Sequence, residues 1–269
     1  MKKSDVIDIT GKTKLIGIIA DPIDHVIAPR FANPLFQKFN LDWFLIPLNI
    51  KPDNIKSIKN ILLNVPNIIG CQLTIPHKEL ILEYCDELGK YSKISKSVNS
   101  IKLFKNRLIG ESFDGYALIK SQKKNNINIF GKDVFILGSG GAGRSVAFSY
   151  CYEKPNKITL FDKHLDKSQK LCEDIKKYFS DIEVEVHSDY KNSDIICNCT
   201  PLGLHLNDPE PFDLYQIDLS TIVIDIIAAR KTEMAFTAYK IGLQYLDGIG
   251  MLEEQIFPLS QFLKNESYE

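Results

Sequence analysis

At 269 residues, 44% of them hydrophobic and 25% charged, the chain is long enough for two globular domains with an apolar core in each. A formal net charge of −1 gives no electrostatic footprint for a nucleic-acid partner, and no apolar run approaches the roughly 18 residues of a membrane span. Six cysteines without a C-x-x-C pair fit buried thiols in a reducing cytoplasm better than a disulfide framework, and five histidines without a Cys/His cluster make a metal site unexpected.

The opening, Met1-Lys2-Lys3-Ser4-Asp5-Val6, carries lysines that read as a solvated face. It lacks the apolar core of a signal peptide, so a cytoplasmic location is expected. Strands and helices then alternate. Leu15–Ala20 reads as a strand, followed by a polar, proline-bearing loop to Pro29 and a helix over Phe31–Phe39. Trp43–Ile50 reads as the next strand. Pro52 opens a helix with Ile55, Ile58, Leu62 and Leu63 as its stripe. Ile68–Thr74 is a third strand, and Ile75-Pro76-His77-Lys78 turns into a helix carrying Leu80, Ile81 and Tyr84. Val98–Phe104 and Arg107–Phe113 form a hairpin turning at Lys105-Asn106, and the polar stretch 123–132 is the candidate linker.

The run Val134–Leu137 is wholly apolar, as in a strand buried on both faces of a parallel sheet. Gly138, Gly140 and Gly143 follow in the G-x-G-x-x-G spacing, which serves a tight turn, a close approach to pyrophosphate and a close helix–strand contact. Val146, Ala147, Tyr150 and Cys151 then recur at helical spacing, so a helix N-terminus with free N–H groups points at the turn. Lys157–Phe161 is the next strand. Asp162, 24 positions beyond Gly138, stands where an acid bonds the ribose hydroxyls; a helix N-cap is its alternative role. An amphipathic helix (Leu171, Ile175, Tyr178, Phe179), a strand at 182–186, and strands Ile195–Cys199 and Ile222–Ile227 complete a nucleotide-binding unit. Between the last two lies a long loop with Pro201, Pro209 and Pro211, at a strand end where α/β folds place ligands.

An alcohol-oxidising nicotinamide enzyme needs a group to take and return the hydroxyl proton. Lys78, at a strand-to-helix turn, and Asp114, at the end of the hairpin, are the candidates, with a solvated lysine and a capping aspartate as the alternative. Their surroundings are specific. Thr74-x-Pro76-His77-Lys78, Val98-Asn99-Ser100 and Asp114-Gly115 occur in this order. They are followed by Gly138-Ser139-Gly140-Gly141-Ala142-Gly143-Arg144, Asn198-x-Thr200-Pro201-Leu202-Gly203 and Gly248-x-x-Met251-Leu252-x-x-Gln255. On these motifs the chain resembles the shikimate dehydrogenase family over nearly its full length.

The resemblance implies that Lys78 shuttles the proton and Asp114 orients it, while Thr74, Asn99 and Gln255 hold ring hydroxyls. It assigns Gly138–Arg144, Asp162, Lys163, Thr200, Pro201, Leu202, Gly248 and Met251 to the cofactor. Two departures stand out. Family members usually carry His-Ser-x-Ser-Pro after the first strand, with both hydroxyls on the substrate carboxylate; here the substrate-binding positions are Val26 and Ala28, in His25-Val26-Ile27-Ala28-Pro29. The later strand usually ends in Tyr-x-Pro, whereas here it runs Asp225-Ile226-Ile227-Ala228-Ala229-Arg230.

The expected architecture is therefore α/β in two domains with a cleft between them: an N-terminal substrate domain (1–113 plus 248–269) and a Rossmann-type NAD(P)-binding domain (114–247). The expected activity is reversible reduction of 3-dehydroshikimate or a related cyclic hydroxy acid of the shikimate/quinate type. A non-catalytic dinucleotide-binding protein on the same fold is the alternative. The expected cofactor is NAD in preference to NADP, because Asp162-Lys163-His164 replaces the Asn-Arg-Thr usual in NADP-binding members and a carboxylate repels a 2′-phosphate. The expected partner is a small cyclic hydroxy acid, with no nucleic acid and no membrane; a homodimer is left open.

Overall fold

The computed structural model describes residues 9–267, so the expectations drawn from Met1–Val6 lie outside the described residues. The described residues build two six-stranded sheets. The first takes β1 (Lys14–Ala20), α1 (Pro29–Lys38), β2 (Trp43–Asn49), α2 (Ile58–Asn64), β3 (Ile68–Leu73), α3 (His77–Leu80), β4 (Glu87–Leu88), α4 (Lys90–Ser95), β5 (Ser100–Phe104) and β6 (Arg107–Glu111). Its order is β2-β1-β3-β5-β6-β4, with β2, β1 and β3 parallel and β5 antiparallel to both neighbours. The β5–β6 hairpin closes on Lys105 and Asn106, both at positive φ (49° and 62°), the backbone a two-residue turn requires.

Two expected helices are broken. The one opening at Pro52 starts as a 3₁₀ turn (Pro52–Ser57) before α2. Its three-residue repeat buries Ile55 and Ile58, and the following turn buries Leu62 but leaves Leu63 43% exposed. The helix after Pro76 lasts only as α3 and continues as a 3₁₀ turn, Ile81–Tyr84; Ile81 is buried and Leu80 faces out.

The second sheet is reached through α5 (Asp114–Lys124). Residues 125–132 are no loose linker, since Ile127 and Ile129 are buried in the second core. Next come β7 (Asp133–Leu137), α6 (Gly141–Tyr152), β8 (Lys157–Phe161), α7 (Leu165–Tyr178), β9 (Glu183–Val186), β10 (Ile195–Asn198), β11 (Ile222–Asp225), α8 (Glu233–Ile241) and β12 (Gln244–Leu246). All pairs are parallel, in the order β9-β8-β7-β10-β11-β12. This is the doubly wound dinucleotide-binding order, whose strand direction of travel reverses between β7 and β10.

The last helix, α9 (Ile249–Lys264), divides its buried face between the two units. Met251 joins the core formed by Ile136, Val146 and Ile224, while Ile256, Leu259, Phe262 and Leu263 pack with Ile16 and Leu45 of the first sheet and Phe36 of α1. Each such side chain contributes about 1.5–3 kcal/mol when buried. Lys102 of β5 fastens the helix end: its Nζ donates to the Phe262 carbonyl (2.5 Å) and to Asn265 Oδ1 (2.8 Å). Burial lowers the Lys102 pKa to about 8.

Candidate active site

Three elements converge below the turn that follows β3. The Thr74 N–H donates to the Ile19 carbonyl (2.9 Å) and the Thr74 carbonyl accepts from His77 N (2.8 Å), which starts α3 and sets Lys78 on its first turn. The Lys78 carbonyl accepts from Val98 N (2.9 Å), tying that turn to the segment that carries Asn99. Asp114 opens α5 and is 2% exposed. Its Oδ2 lies 2.5 Å from Lys78 Nζ, and its Oδ1 accepts from Asn99 Nδ2 (2.9 Å) and Gln255 Nε2 (3.2 Å). Asn99 Oδ1 accepts from Phe113 N (3.0 Å) and Ser100 Oγ (2.9 Å), which orients the amide with its NH₂ toward the carboxylate.

An amine held by a buried carboxylate, with two amides on the same carboxylate, is built to hand a proton to and from an oxygen. Gln72 belongs to this cluster, since its Nε2 donates to Gln255 Oε1 (3.3 Å). Sequence reasoning missed it, although an amide inside the apolar run of β3 was the signal to follow. Thr74 is half-buried one residue beyond β3.

The glycine turn lies against this cluster. A Cβ placed on Gly141 would fall 2.7 Å from Lys78 Cβ. Gly138 sits at φ 98°, where other residues are strained, and a Cβ on Gly143 would come within 1.9 Å of the Gly138 carbonyl oxygen, so both positions require glycine. Helix α6 starts at Gly141 behind Gly140, and no side chain caps it, so its first-turn N–H groups are available to an anion. Ser139 Oγ is buried with no hydrogen-bond partner among the described residues. Uncapped N–H groups, close-fitting glycines and a buried hydroxyl lacking a partner fit a pyrophosphate-bearing dinucleotide. Across the crevice, Thr200 Cγ2 would lie 2.8 Å from a Cβ on Gly138, with Pro201 exposed and Leu202 half-buried beyond it.

Other expected site residues are placed differently. Arg144 is 8% exposed: its Nε donates to the Ser95 carbonyl (2.6 Å) and its Nη2 to Asp174 Oδ2 (2.8 Å), so its guanidinium links α4 to α7. Met251 is core, and the Gly248 N–H donates to the Ile227 carbonyl (3.3 Å). Ala28 is 5% exposed in the first core and Val26 leans on the same cluster, because apolar side chains at the start of α1 gain by packing inward. Lys163 and His164 are exposed. Asp162 does not stand free for a ribose: Oδ2 accepts from Ser139 N (2.8 Å) and Oδ1 from His164 N (2.9 Å). Among the described residues, no group of three or more His, Cys, Asp or Glu could hold a metal ion, and no helix is long and apolar enough to cross a membrane.

Residues 18–101 match the family model described as the shikimate dehydrogenase substrate binding domain. A protein of Methanococcus maripaludis (strain C6) named shikimate dehydrogenase (NADP(+)) is 32% identical over 255 residues, which span 92% of this chain and 90% of that protein. The crystal structure of shikimate dehydrogenase from Aquifex aeolicus superposes with a TM-score of 0.85 at 27% identity, covering 96% of this chain and 95% of that one. A shikimate dehydrogenase solved in complex with NADP+ gives 0.86 at 26% identity, covering 96% and 92%. These relatives overturn the expected preference for NAD over NADP. The expectation rested on Asp162, whose two oxygens accept from the backbone N–H groups of Ser139 and His164, so that part of its acceptor capacity serves the turn itself. With motifs, fold and relatives in agreement along the whole chain, the protein belongs to the shikimate dehydrogenase family.

Proposed function

We propose that the chain catalyses reversible, NADP(H)-dependent oxidation of a ring hydroxyl on a shikimate-like cyclic hydroxy acid. The observation that carries this reading is the Lys78–Asp114 pair, 2.5 Å apart, buried beside the glycine turn with Asn99 and Gln255 on the same carboxylate. The nicotinamide, when bound, exchanges the hydride. In the reducing direction Lys78 gives a proton from Nζ to the substrate's carbonyl oxygen; in the oxidising direction it takes the hydroxyl proton back. Asp114 holds Nζ in place throughout, and Asn99, Gln255 and Thr74 supply hydrogen bonds to the remaining ring oxygens. In this reading, residues 1–113 with 248–269 hold the substrate and 114–247 hold the dinucleotide.

The first turn of α6 and Ser139 would receive the pyrophosphate. Lys163 and His164, exposed after β8, are the basic groups available for a 2′-phosphate, while Asp162 is turned onto the turn's own backbone. Catalytic efficiency with NADPH is expected to exceed that with NADH by about tenfold or more, equivalent to about 1.4 kcal/mol of preference. Steady-state kcat/KM measured with both cofactors checks this, and equal or better efficiency with NADH would sink it.

A further inference from the structure

Asp225, the last residue of β11, is 0% exposed, and among the described residues no cation pairs with it. Four neutral donors converge on it instead. Oδ1 accepts from Asn198 Nδ2 (3.0 Å) and Ile227 N (3.1 Å); Oδ2 accepts from Thr232 Oγ1 (3.1 Å) and Tyr245 OH (3.0 Å). Burial pushes the carboxyl pKa above the usual range against the pull of these bonds. Such a group is costly to keep inside a protein, and the proton chemistry at Lys78 makes no use of it.

Its partners show what it holds. Asn198 Oδ1 accepts from Thr200 N (3.1 Å) and Thr200 Oγ1 (2.6 Å), Asn198 Nδ2 also donates to the Leu202 carbonyl (3.1 Å), and Leu202 N donates to Thr200 Oγ1 (3.1 Å). The whole Thr200–Leu202 turn is thereby folded around one amide, and that amide is held by Asp225. From the other side, a Cβ on Gly203 would lie 3.0 Å from Thr232 Cγ2, and Thr232 is itself bonded to Asp225. One carboxylate thus holds the amide on which Thr200–Leu202 folds and the Thr232 side chain that packs beside Gly203, and Thr200 abuts Gly138 where the strand order reverses.

We propose that Asp225 is a positioning residue for the dinucleotide: its carboxylate, through Asn198 and Thr232, fixes the 200–203 segment against the glycine turn and so sets affinity for the cofactor, not for the ring acid. This rests on the reading that the crevice between β7 and β10 takes NADP(H). Asp225→Asn keeps the shape and an acceptor oxygen, and the Thr232 and Tyr245 hydroxyls can reverse to accept from its NH₂, so the fold is retained. Bonds to a charged acceptor are about twice as strong as neutral ones, so the segment loosens.

The expected result is an NADPH dissociation constant, read by fluorescence titration, raised about tenfold. KM for shikimate should stay within about twofold and the melting temperature within a few degrees. Tyr245→Phe, which removes one of the four donors, is expected to raise the same constant about threefold, and carries the test if Asp225→Asn does not fold. A folded Asp225→Asn that binds NADPH as the wild type does overturns the proposal, as does a parallel rise in cofactor and substrate constants. A wild type that fails to bind NADPH overturns this proposal and the proposed function together.

Discussion

Replacing Lys78 by Ala lowers turnover by about a hundredfold or more, the usual range for loss of a positioned proton-transfer group. The geometry makes the effect specific. Nζ lies 2.5 Å from Asp114 Oδ2, the lysine side chain is 15% exposed and the aspartate 2%, so water has little room to take over the proton transfer. The same substitution leaves a buried carboxylate without its cation, which costs about 3–5 kcal/mol in comparable buried pairs. Activity must therefore be read on protein shown by its melting curve to be folded, at a temperature well below the transition. Asn99 and Gln255 still donate to Asp114 in the variant, so the carboxylate is not left without partners. Turnover unchanged in folded Lys78→Ala would remove the lysine from the mechanism and favour a dinucleotide-binding protein that does no chemistry.

The second large effect is a gain. Wild-type activity on shikimate is expected to be poor, and Val26→Ser/Ala28→Ser is expected to raise kcat/KM for shikimate by roughly two orders of magnitude. A hydrogen bond to a charged group is worth about 1.5–3 kcal/mol, and the loop after β1 lacks both hydroxyls that family members use. Neither Val26 nor Ala28 has a side-chain polar atom for a carboxylate; Val26 is half-buried, whereas Ala28 is 5% exposed inside the apolar cluster, so most of the gain is expected from Val26→Ser. His25 beside them is kept from charging easily, its pKa lowered by burial and by the nearby charge of His205. Arg30, exposed on α1, is the cation closest along the chain. The true substrate is then expected to carry a less polar or differently placed group at that end of the ring. Comparing kcat/KM for shikimate in the wild type and the double variant decides it; no improvement means that the missing hydroxyls do not limit this enzyme.

Much of the second sheet was legible because parallel strands buried on both faces are short, apolar and separated by glycine or proline signals, as in Val134–Leu137 and Ile195–Asn198. The strands β4 and β12, only two and three residues long, carry no periodicity, and what makes them strands is the neighbour they pair with. The helix α8 went unread, although its signals were local: Thr232 caps it, its Oγ1 accepting from Ala235 N, and Gly242 ends it at φ 82°. The site was legible through motifs rather than through spacing. Lys78 and Asp114 are 36 positions apart, and Gln255 is 141 positions beyond Asp114. No local pattern brings such residues together. Asp162 shows the opposite limit. Its position was read correctly, but whether its oxygens face a ribose or the backbone N–H of Ser139 and His164 depends on the three-dimensional path of the turn.

The divided face of α9 bears on how the protein comes into being. A ribosome delivers residues 14–111 first, and of their two apolar clusters the one around Ile16, Phe36 and Leu45 lacks Ile256, Leu259, Phe262 and Leu263 until almost the whole chain has been made, whereas the one around Ile55, Ile81 and Ile101 lies wholly within that span. The packing around α1 is therefore expected to be finished last, by the tail, after the other cluster has closed. Limited proteolysis of a chain stopped at residue 247 tests this, and protection of α1 in that chain would contradict it.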